Sequence, residues 1–243
     1  MKIKLPCVQC SNKVEVEINR GSTYKIKCNE NHESTVNLRN QDYEILFDLG
    51  ALALIDNYTR ESVSSFAVSV ERFHEFCIKV MLLNNGVSWE GIGDTWKLVS
   101  NQSERQLGAF YFLYLSTFNE RPEEIKSKWV TFRNKITHKG EIPSYKEARE
   151  YGEYIFDYIK RITLKLRENC YGSFTEVFYK NILEFSTDNQ TKMLVTAESM
   201  LMPMVEGADS MFEPMVIYMV KEYEKIEFSS QLDQIKNNRL YSK

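Results

Sequence analysis

Arg133 and His138 are the side chains whose types and spacing best suit chemistry on a phosphate. Both belong to the segment Arg133-Asn134-Lys135-Ile136-Thr137-His138. Near neutral pH, a histidine can take the proton of a ribose 2′-hydroxyl or protonate a leaving oxygen. An arginine offers a forked pair of donors to the charge that develops on the phosphate oxygens. These residue types therefore suit the cleavage of RNA.

Helix geometry restricts how these two side chains can act together. The helix predicted to carry this segment has an apolar stripe formed by Ile125, Trp129, Phe132 and Ile136. On an ideal helix Arg133 lies at the edge of that stripe, and His138 points about 140° away from Arg133. Two arrangements would bring them to one site: unwinding of the last turn at Gly140, or a symmetric dimer in which the same helix from each subunit lines a shared cleft. The alternative is that both cations only stabilise the C-terminal end of a helix.

A second group of residues that could bind a ligand lies near the N-terminus. Cys7 and Cys10 form a CxxC pair, and Cys28 is followed by His32 after three residues. Four such N and S ligands around a hairpin give the closed tetrahedral shell of a structural Zn²⁺ site. A segment of about forty residues buries little core, so the metal would supply most of its folding free energy.

Other interpretations of the cysteines stay open at this point. Glu30 or an outside ligand can take the place of His32. The segment can also be a metal-free hairpin with incidental cysteines, or a redox CxxC, although it lacks the βαβ context of redox proteins. Five cysteines are too few and too unevenly spaced for a secreted disulfide framework.

Bulk composition limits the function classes. The net charge of −3 does not attract nucleic acid, so any RNA-binding surface has to be local. No apolar stretch approaches the ~20 residues that span a bilayer, and we expect a cytoplasmic protein without membrane contact. The sequence contains no P-loop, GxSxG or HExxH motif, so the enzyme classes that those motifs identify are not indicated.

The elements that must position these residues change type near residue 41. Segments 14–18 and 24–27 alternate apolar and charged residues, which predicts one β-hairpin with its turn at 19–22. Beyond residue 41 the apolar period is about 3.6 residues, which predicts helices. The first two helices cover 43–57 and 59–83, and a loop with at most short turns follows to about Ser103.

Three more helices are predicted before residue 170. One carries Leu107 to Phe118, the next accepts Pro122 in its first turn, and the last begins after Ser144 with Glu147 completing a capping box.

Four further residues are considered for a functional role. In the second helix, His74 is expected to be salt-bridged or solvated and Cys77 to be buried. Trp89 and Trp96 can cap the bundle or stack on unpaired bases, and we favour capping.

The C-terminal part of the chain is rich in methionine. Seven of the nine methionines fall between Met193 and Met219. Flexible thioethers suit an adaptable surface for a protein partner. A Met-rich helical subdomain with Pro203 and Pro214 as breaks is the simpler interpretation, and we prefer it.

The order of helices, with Arg-Asn-x-x-x-His at the end of one and a short Gly/Pro break before a long amphipathic helix, resembles the HEPN superfamily. The resemblance covers roughly residues 41–168, and its specific part is Phe132-Arg133-Asn134-Lys135-Ile136-Thr137-His138-Lys139-Gly140 with the helix that follows. It implies a dimeric, metal-independent endoribonuclease of antiviral defence or of a toxin–antitoxin system. It also implies that Arg133 and His138 are catalytic and that Asn134 supports them.

Two further residues are expected to assist, and one position differs from the pattern of some HEPN proteins. Glu71, on the second helix, and Lys139 are expected to support RNA binding. HEPN toxins paired with a nucleotidyltransferase antitoxin carry a tyrosine two residues after the histidine, where this chain has Gly140. Inhibition by modification of that tyrosine is therefore not indicated.

We thus expect a mainly α fold with three parts. These are a zinc-ribbon-like β-hairpin (1–40), a HEPN-like helical bundle (41–170) and a Met-rich helical C-terminal extension (171–243). The expected function is RNA cleavage by a homodimer that holds structural Zn²⁺ in its N-terminal part and needs no cofactor for catalysis. The alternative is a non-catalytic scaffold in which the same parts bind RNA or protein partners.

Overall fold

A computed structural model describes residues 2–17, 23–38, 40–184, 193–195, 201 and 225–240 of the chain. Small β-hairpins come first and helices follow, which confirms the predicted mainly α fold with a short N-terminal β segment. No helix in these ranges combines the length and the apolar composition that crossing a membrane requires.

Four N-terminal strands form two antiparallel hairpins, which we call the ribbon. β1 (Lys2–Pro6) pairs with β2 (Lys13–Glu17), and β3 (Thr23–Lys27) pairs with β4 (Glu33–Leu38). A short strand from the distant C-terminal part, β5 (Met193–Val195), adds in parallel to β4.

The single hairpin predicted from segments 14–18 and 24–27 is wrong in its pairing. Both segments contain strands, but β2 pairs back onto β1 and β3 pairs forward onto β4. The reason lies in the cysteine loops, because each closes its own tight hairpin. The Cys7 N–H donates to the Asn12 carbonyl at 2.8 Å, and the Cys28 N–H donates to the His32 carbonyl at 3.1 Å. Residues 18–22, which include the predicted turn, lie outside the described residues.

The ribbon has a small apolar core of its own. Its buried members come from β1, β3 and β4: Leu5, Tyr24, Ile26, Val36 and Leu38. Along β3 the side chains of Tyr24 and Ile26 are buried while Lys25 and Lys27 are exposed, as the alternating pattern predicts. Ile45 of the first helix packs against this core and joins the ribbon to the bundle.

The helices of the described chain follow in the order α1 (Asp42–Ile55), α2 (Thr59–Asn84), α3 (Trp89–Trp96), α4 (Ser103–Phe118), α5 (Ser127–Lys139), α6 (Tyr145–Asn169), α7 (Tyr171–Glu184) and α8 (Phe228–Leu240). α2 lies centrally and packs against α1, α4, α5, α6 and α7. The capping box predicted at the start of α6 is confirmed, since the Ser144 hydroxyl accepts from the Glu147 N–H and the Glu147 carboxylate accepts from the Ser144 N–H.

Two helix boundaries differ from the prediction. The stretch predicted as a loop contains α3, whose first turn is capped by the Ser88 hydroxyl accepting from the Gly91 N–H. α5 begins at Ser127, so Pro122 is not in its first turn. Glu120 and Glu123 pair instead with Lys165 and Arg161 of α6, which holds this segment across α6 in a non-helical form.

The core of the bundle extends beyond the predicted boundary at residue 170. Phe174 and Phe178 of α7 pack edge-on against Phe76 of α2, with ring centroids 5.1 and 6.0 Å away. Phe228 of α8 lies 5.9 Å from Phe156 of α6. Residues on both sides of that boundary therefore contribute to one core. Most of the methionine-rich stretch, 202–219 included, lies outside the described residues.

His74 is a core residue, so the expectation of a solvated or salt-bridged histidine is wrong. Its Nε2 lies 2.8 Å from the Tyr158 hydroxyl and its ring stacks on Phe110 with centroids 4.5 Å apart. Helices pack on more than one side of α2, so burial extends past the apolar stripe that the sequence reveals. Burial lowers the pKa of His74 from 6.5 to about 3.

The buried histidine makes stability depend on pH. Below pH 6.5 the unfolded chain binds a proton at His74 that the folded protein does not bind until about pH 3. The free energy of unfolding should therefore fall with acidification, by about 1.4 kcal/mol per pH unit from this residue across that window. Urea unfolding at several pH values checks this in wild type and His74→Gln. The glutamine variant should lose this part of the slope, and an identical slope in both proteins would contradict the assignment.

Candidate functional site

The Cys/His cluster is built by two loops of similar form. In the first, the Ser11 N–H donates to the Cys7 carbonyl at 2.8 Å, and in the second the Asn31 N–H donates to the Cys28 carbonyl at 2.9 Å. Ser11 and Asn31 both have φ of 59°, a left-handed conformation that turns the chain sharply. The two hairpins thereby present their loops at the same end of the ribbon.

The ligand atoms of the four side chains converge on one point. Cys10 Sγ lies 3.7 Å from Cys28 Sγ, and Cys7 Sγ lies 3.9 Å from His32 Nδ1. All four ligand atoms lie within 4.8 Å of one another. A tetrahedral ion with metal–sulfur bonds of about 2.3 Å separates its sulfur ligands by roughly 3.8 Å. The residues present therefore fit one metal ion.

The geometry also bears on the alternatives left open by the sequence. All five cysteines are free thiols. His32, and not Glu30, belongs to the group of side chains that converge here among the described residues. Cys7 and Cys28 are buried while Cys10 and His32 are half-buried, so the ribbon encloses most of the site.

Backbone donors in the first loop favour a thiolate at Cys7. Hydrogen bonds from the Gln9 N–H and, to a smaller extent, from the Cys10 N–H and the Cys10 and Cys28 thiols lower the pKa of the Cys7 thiol to about 6, although burial acts in the opposite direction. At Cys10 the Asn12 N–H also lowers the pKa, but burial and the neighbouring thiols of Cys7 and Cys28 raise it above its ordinary value. Thiolates are the form in which cysteines bind metals.

The Arg-Asn-x-x-x-His segment forms the second half of α5 and stays helical to its end. α5 is regular through Lys139, and Gly140 ends it with a φ of 73° while its N–H donates to the Lys135 carbonyl. Unwinding of the last turn before His138 is thus not the arrangement in this structure. Arg133 and His138 of one chain keep the divergent directions of an ideal helix.

Arg133 faces the neighbouring helix α2 and Ile136 is buried in the core, whereas the polar residues of the motif other than Arg133 face solvent. The Arg133 guanidinium lies 4.0 Å from the Glu71 carboxylate, and both side chains are half-buried. Asn134, His138 and Lys139 are exposed. The structure therefore places Glu71 beside Arg133 and leaves the His138 side chain exposed.

Tyr151 is a neighbour of this pair that the sequence did not single out. Its ring packs on Trp129 and Phe132 of α5, with each pair of centroids 5.6 Å apart. Burial raises the pKa of Tyr151, while Arg133 lowers it and Glu71 raises it. Tyr151 was visible only as one member of the apolar stripe of α6, so no signal in the sequence marked it as a neighbour of Arg133.

Charge is distributed unevenly around α5. The helix contains no Asp or Glu, although the whole chain is net acidic, and its cations are Lys128, Arg133, Lys135 and Lys139. The three lysines are exposed. α5 is therefore a local basic surface of the kind that binding to a phosphate backbone requires.

Trp89 and Trp96 lie at the two ends of α3 and pack against the bundle. Their rings are 5.8 and 6.0 Å from the Lys79 ammonium, which also pairs with Glu75 at 3.0 Å. Both rings are partly buried against the main core. This arrangement agrees with the capping role that we favour over base stacking.

Comparison of the chain with protein-family models, curated proteins and solved structures finds no match. The function has to be inferred from the chain's own residues. Two groups of residues are candidates for a function: the Cys/His cluster of the ribbon, whose ligand atoms converge, and the exposed cations of α5.

Proposed function

We propose that this chain is a cytoplasmic, metal-independent endoribonuclease that acts as a homodimer, in antiviral defence or in a toxin–antitoxin system. The observation that carries the proposal is α5. It is an acid-free helix that exposes His138 and Asn134 beside three exposed lysines and holds Arg133 next to Glu71. The resemblance of this segment to the HEPN superfamily points to the same reaction.

The reaction assigns a role to each side chain. The imidazole of one His138 takes the proton of a 2′-hydroxyl, and the 2′-oxygen attacks the adjacent phosphorus. The P–O5′ bond breaks, and a second, protonated His138 gives its proton to the leaving 5′-oxygen. Arg133 stabilises the charge on the non-bridging oxygens. The products are a 2′,3′-cyclic phosphate and a free 5′-hydroxyl.

Two copies of α5 are needed because of the helix geometry. Within one chain, His138 and Arg133 point in divergent directions from a regular helix. A two-fold axis beside α5 would set His138 of one subunit opposite Arg133 of the other. Glu71, 4.0 Å from Arg133, is loose enough to orient the guanidinium and release it to a phosphate.

Loss of cleavage in motif variants tests this proposal. Purified protein is incubated with total RNA or tRNA in EDTA, beside His138→Ala and Arg133→Ala. We expect each variant to lose activity by about a hundredfold or more, because each removes a proton-transfer or charge-stabilising group. Lys97→Ala is the matched control, since it removes an exposed cation at the end of α3, outside α5 and the loop that follows it, and should cleave as wild type does.

Two outcomes would refute the catalytic assignment. One is equal cleavage by wild type and both motif variants, which would identify a contaminating nuclease. The other is no cleavage by wild type under any activating condition, including infected-cell extract and a range of protein concentrations that spans dimer formation.

The second candidate function is a non-catalytic scaffold for RNA or protein. It is favoured by one observation, namely that the Arg133 guanidinium already lies 4.0 Å from the Glu71 carboxylate of α2 within its own chain. In that case Arg133→Ala should lower thermal stability while RNA cleavage remains absent in every variant.

We further propose that the ion of the ribbon is Zn²⁺ with a structural role. Three sulfur ligands and one imidazole are the donor set of many closed zinc sites, and four protein ligands leave no position for a substrate. Removing the metal should therefore change the folding of the ribbon and leave the chemistry at α5 intact.

A further inference from the structure

One end of the bundle joins two loops next to the end of α5. The Thr59 hydroxyl at the start of α2 donates to the Pro143 carbonyl in the loop between α5 and α6, at 2.8 Å. The first of these loops is rigidly turned, because Asn57 has a φ of 63° and the Tyr58 N–H donates to the Ala53 carbonyl. Residues that are far apart in sequence are thus fixed beside one another.

Three large side chains on either side of this hydrogen bond are exposed. Tyr58 is 63% exposed, Ile142 is 80% exposed and Tyr145 is 43% exposed. We call these three residues, two tyrosines and one isoleucine, the aromatic patch. Burying such surface is favourable, so these three side chains at one end of the bundle provide a surface on which another molecule can pack.

The aromatic patch lies beside the proposed site. Ile142 follows His138 by four residues, so their Cα atoms are no more than about 14 Å apart. Lys139 is exposed between them, and Glu141 is the one acidic residue of the loop from 140 to 144. Arg60 pairs with Glu61 at 3.8 Å and Lys146 with Glu150 at 4.0 Å, so these flanking charges are balanced.

We propose that the aromatic patch is a platform on which unpaired bases of a single-stranded RNA stack while α5 holds the phosphates. Aromatic faces accept any base, and cations beside them track the backbone. Unpaired bases next to the cut would then lie on this surface, outside α5. This inference rests on the proposed function and adds a base-binding surface to it.

RNA is favoured over a protein occupant by the composition of the surroundings. Two of the three patch residues are tyrosines, whose rings suit bases, and the cations of α5 begin within three residues of Ile142. A protein surface complementary to the patch alone would gain nothing from these cations.

Binding measurements in a cleavage-deficient background test the platform. Full-length His138→Ala protein is titrated against a short fluorescein-labelled single-stranded RNA and against a duplex of the same sequence, by anisotropy at fixed salt. Added Tyr58→Ala or Tyr145→Ala should each weaken single-strand binding about 5- to 150-fold, the range expected for one stacked base. Duplex binding should change little.

Conservative variants separate stacking from a structural role. Tyr58→Phe and Tyr145→Phe keep the ring and should bind the single strand within about twofold of the parent protein. Melting temperature and oligomeric state should be the same in all variants, because the changed side chains are exposed.

Two results overturn the platform. The first is unchanged single-strand affinity in both alanine variants. The second is a loss of affinity that occurs only together with loss of the dimer on size-exclusion chromatography, which would identify the patch as a self-association surface. If His138→Ala protein still cleaves RNA, the catalytic proposal fails, and the binding series still decides the platform.

Discussion

Replacing Cys7 with serine is expected to unfold the ribbon while the helical bundle stays folded. Cys7 is buried and its Sγ lies 3.9 Å from His32 Nδ1 at the centre of the cluster. The ribbon has five buried apolar residues in its own core, too few to hold four short strands without help. Structural zinc contributes roughly 10–16 kcal/mol in small zinc-dependent folds, so losing a ligand of the proposed zinc site would remove the main stabilising contribution to the ribbon.

Metal content and hydrogen exchange measure this effect separately. Bound zinc should fall from one equivalent to well below one, and amides such as Cys28 N–H in the second loop should exchange at least a hundredfold faster. Amides in α2 and α6 should keep their protection, because their core is separate from the ribbon. EDTA treatment of wild type should reproduce both changes.

A thiol outside the cluster provides the control. Cys170→Ala removes a buried cysteine at the end of α6 and should leave zinc content and ribbon exchange unchanged. Unchanged zinc in the Cys7→Ser protein would remove Cys7 from the ligand set. Protected ribbon amides in metal-free wild type would show that the hairpins fold without an ion.

The second large effect concerns the way in which Phe66 of α2 is enclosed. Its ring lies against two glycines on neighbouring helices, Gly50 of α1 and Gly152 of α6. A Cβ added at Gly152 would lie 2.6 Å from Phe66 Cε2 and 3.1 Å from Phe228 Cζ. One added at Gly50 would lie 2.7 Å from Phe66 Cδ1. Atoms cannot approach so closely, so either substitution has to displace the ring or a helix.

We expect Gly152→Ala to destabilise the protein by about 1–3 kcal/mol in urea unfolding, the usual cost of overpacking a core. The sign is informative, because alanine in a helix is otherwise preferred over glycine by roughly 0.5–1 kcal/mol. Adding Phe66→Leu to Gly152→Ala should recover part of the loss, since the smaller side chain leaves room for the methyl group.

Gly108 is the matched control for this series. It also lies within a helix, α4, but a Cβ there would meet nothing within 4 Å. Gly108→Ala should therefore stabilise the protein slightly. If Gly152→Ala and Gly108→Ala changed stability in the same direction and by the same amount, the close packing of Phe66 would be refuted.

The sequence was most informative where one element decides the outcome by itself. The apolar stripes of α2 and α6 and the Ser144–Glu147 capping box predicted helices, since these signals are local. Alternation located β2 and β3 but could not identify their partners, because a strand with the same pattern can pair on either side. Pro122 was placed in α5 because proline is common in a first helical turn. The ion pairs that hold its neighbours Glu120 and Glu123 involve residues about forty positions away, which a local pattern does not reveal.

The same limit applies to the candidate sites. The CxxC pair was recognisable within four residues. Cys28 and His32 were added because a hairpin was expected to bring them back to that pair; the hairpin pairing was wrong, but two separate hairpins bring the four residues together. The contact between Glu71 and Arg133 depends on how α2 and α5 pack. The aromatic patch depends on the hydrogen bond from the Thr59 hydroxyl to the Pro143 carbonyl. Neither arrangement can be predicted from a local sequence pattern. His74 was assigned to solvent because its helix neighbours are charged, whereas packing from α4 and α6 covers it.

The contacts of Phe228 with Phe66 and Phe156 limit how much of the core can form during translation. A ribosome makes α1 to α6 first, and at about 5–20 residues per second it reaches Phe228 on the order of ten seconds after Phe66. Until then the ring of Phe66 lacks one of its neighbours, and β4 lacks β5. The nascent chain therefore completes this core only after Phe228 has been made, and a product that stops before Met193 would lack both the strand β5 on β4 and the helix α8 beside Phe66.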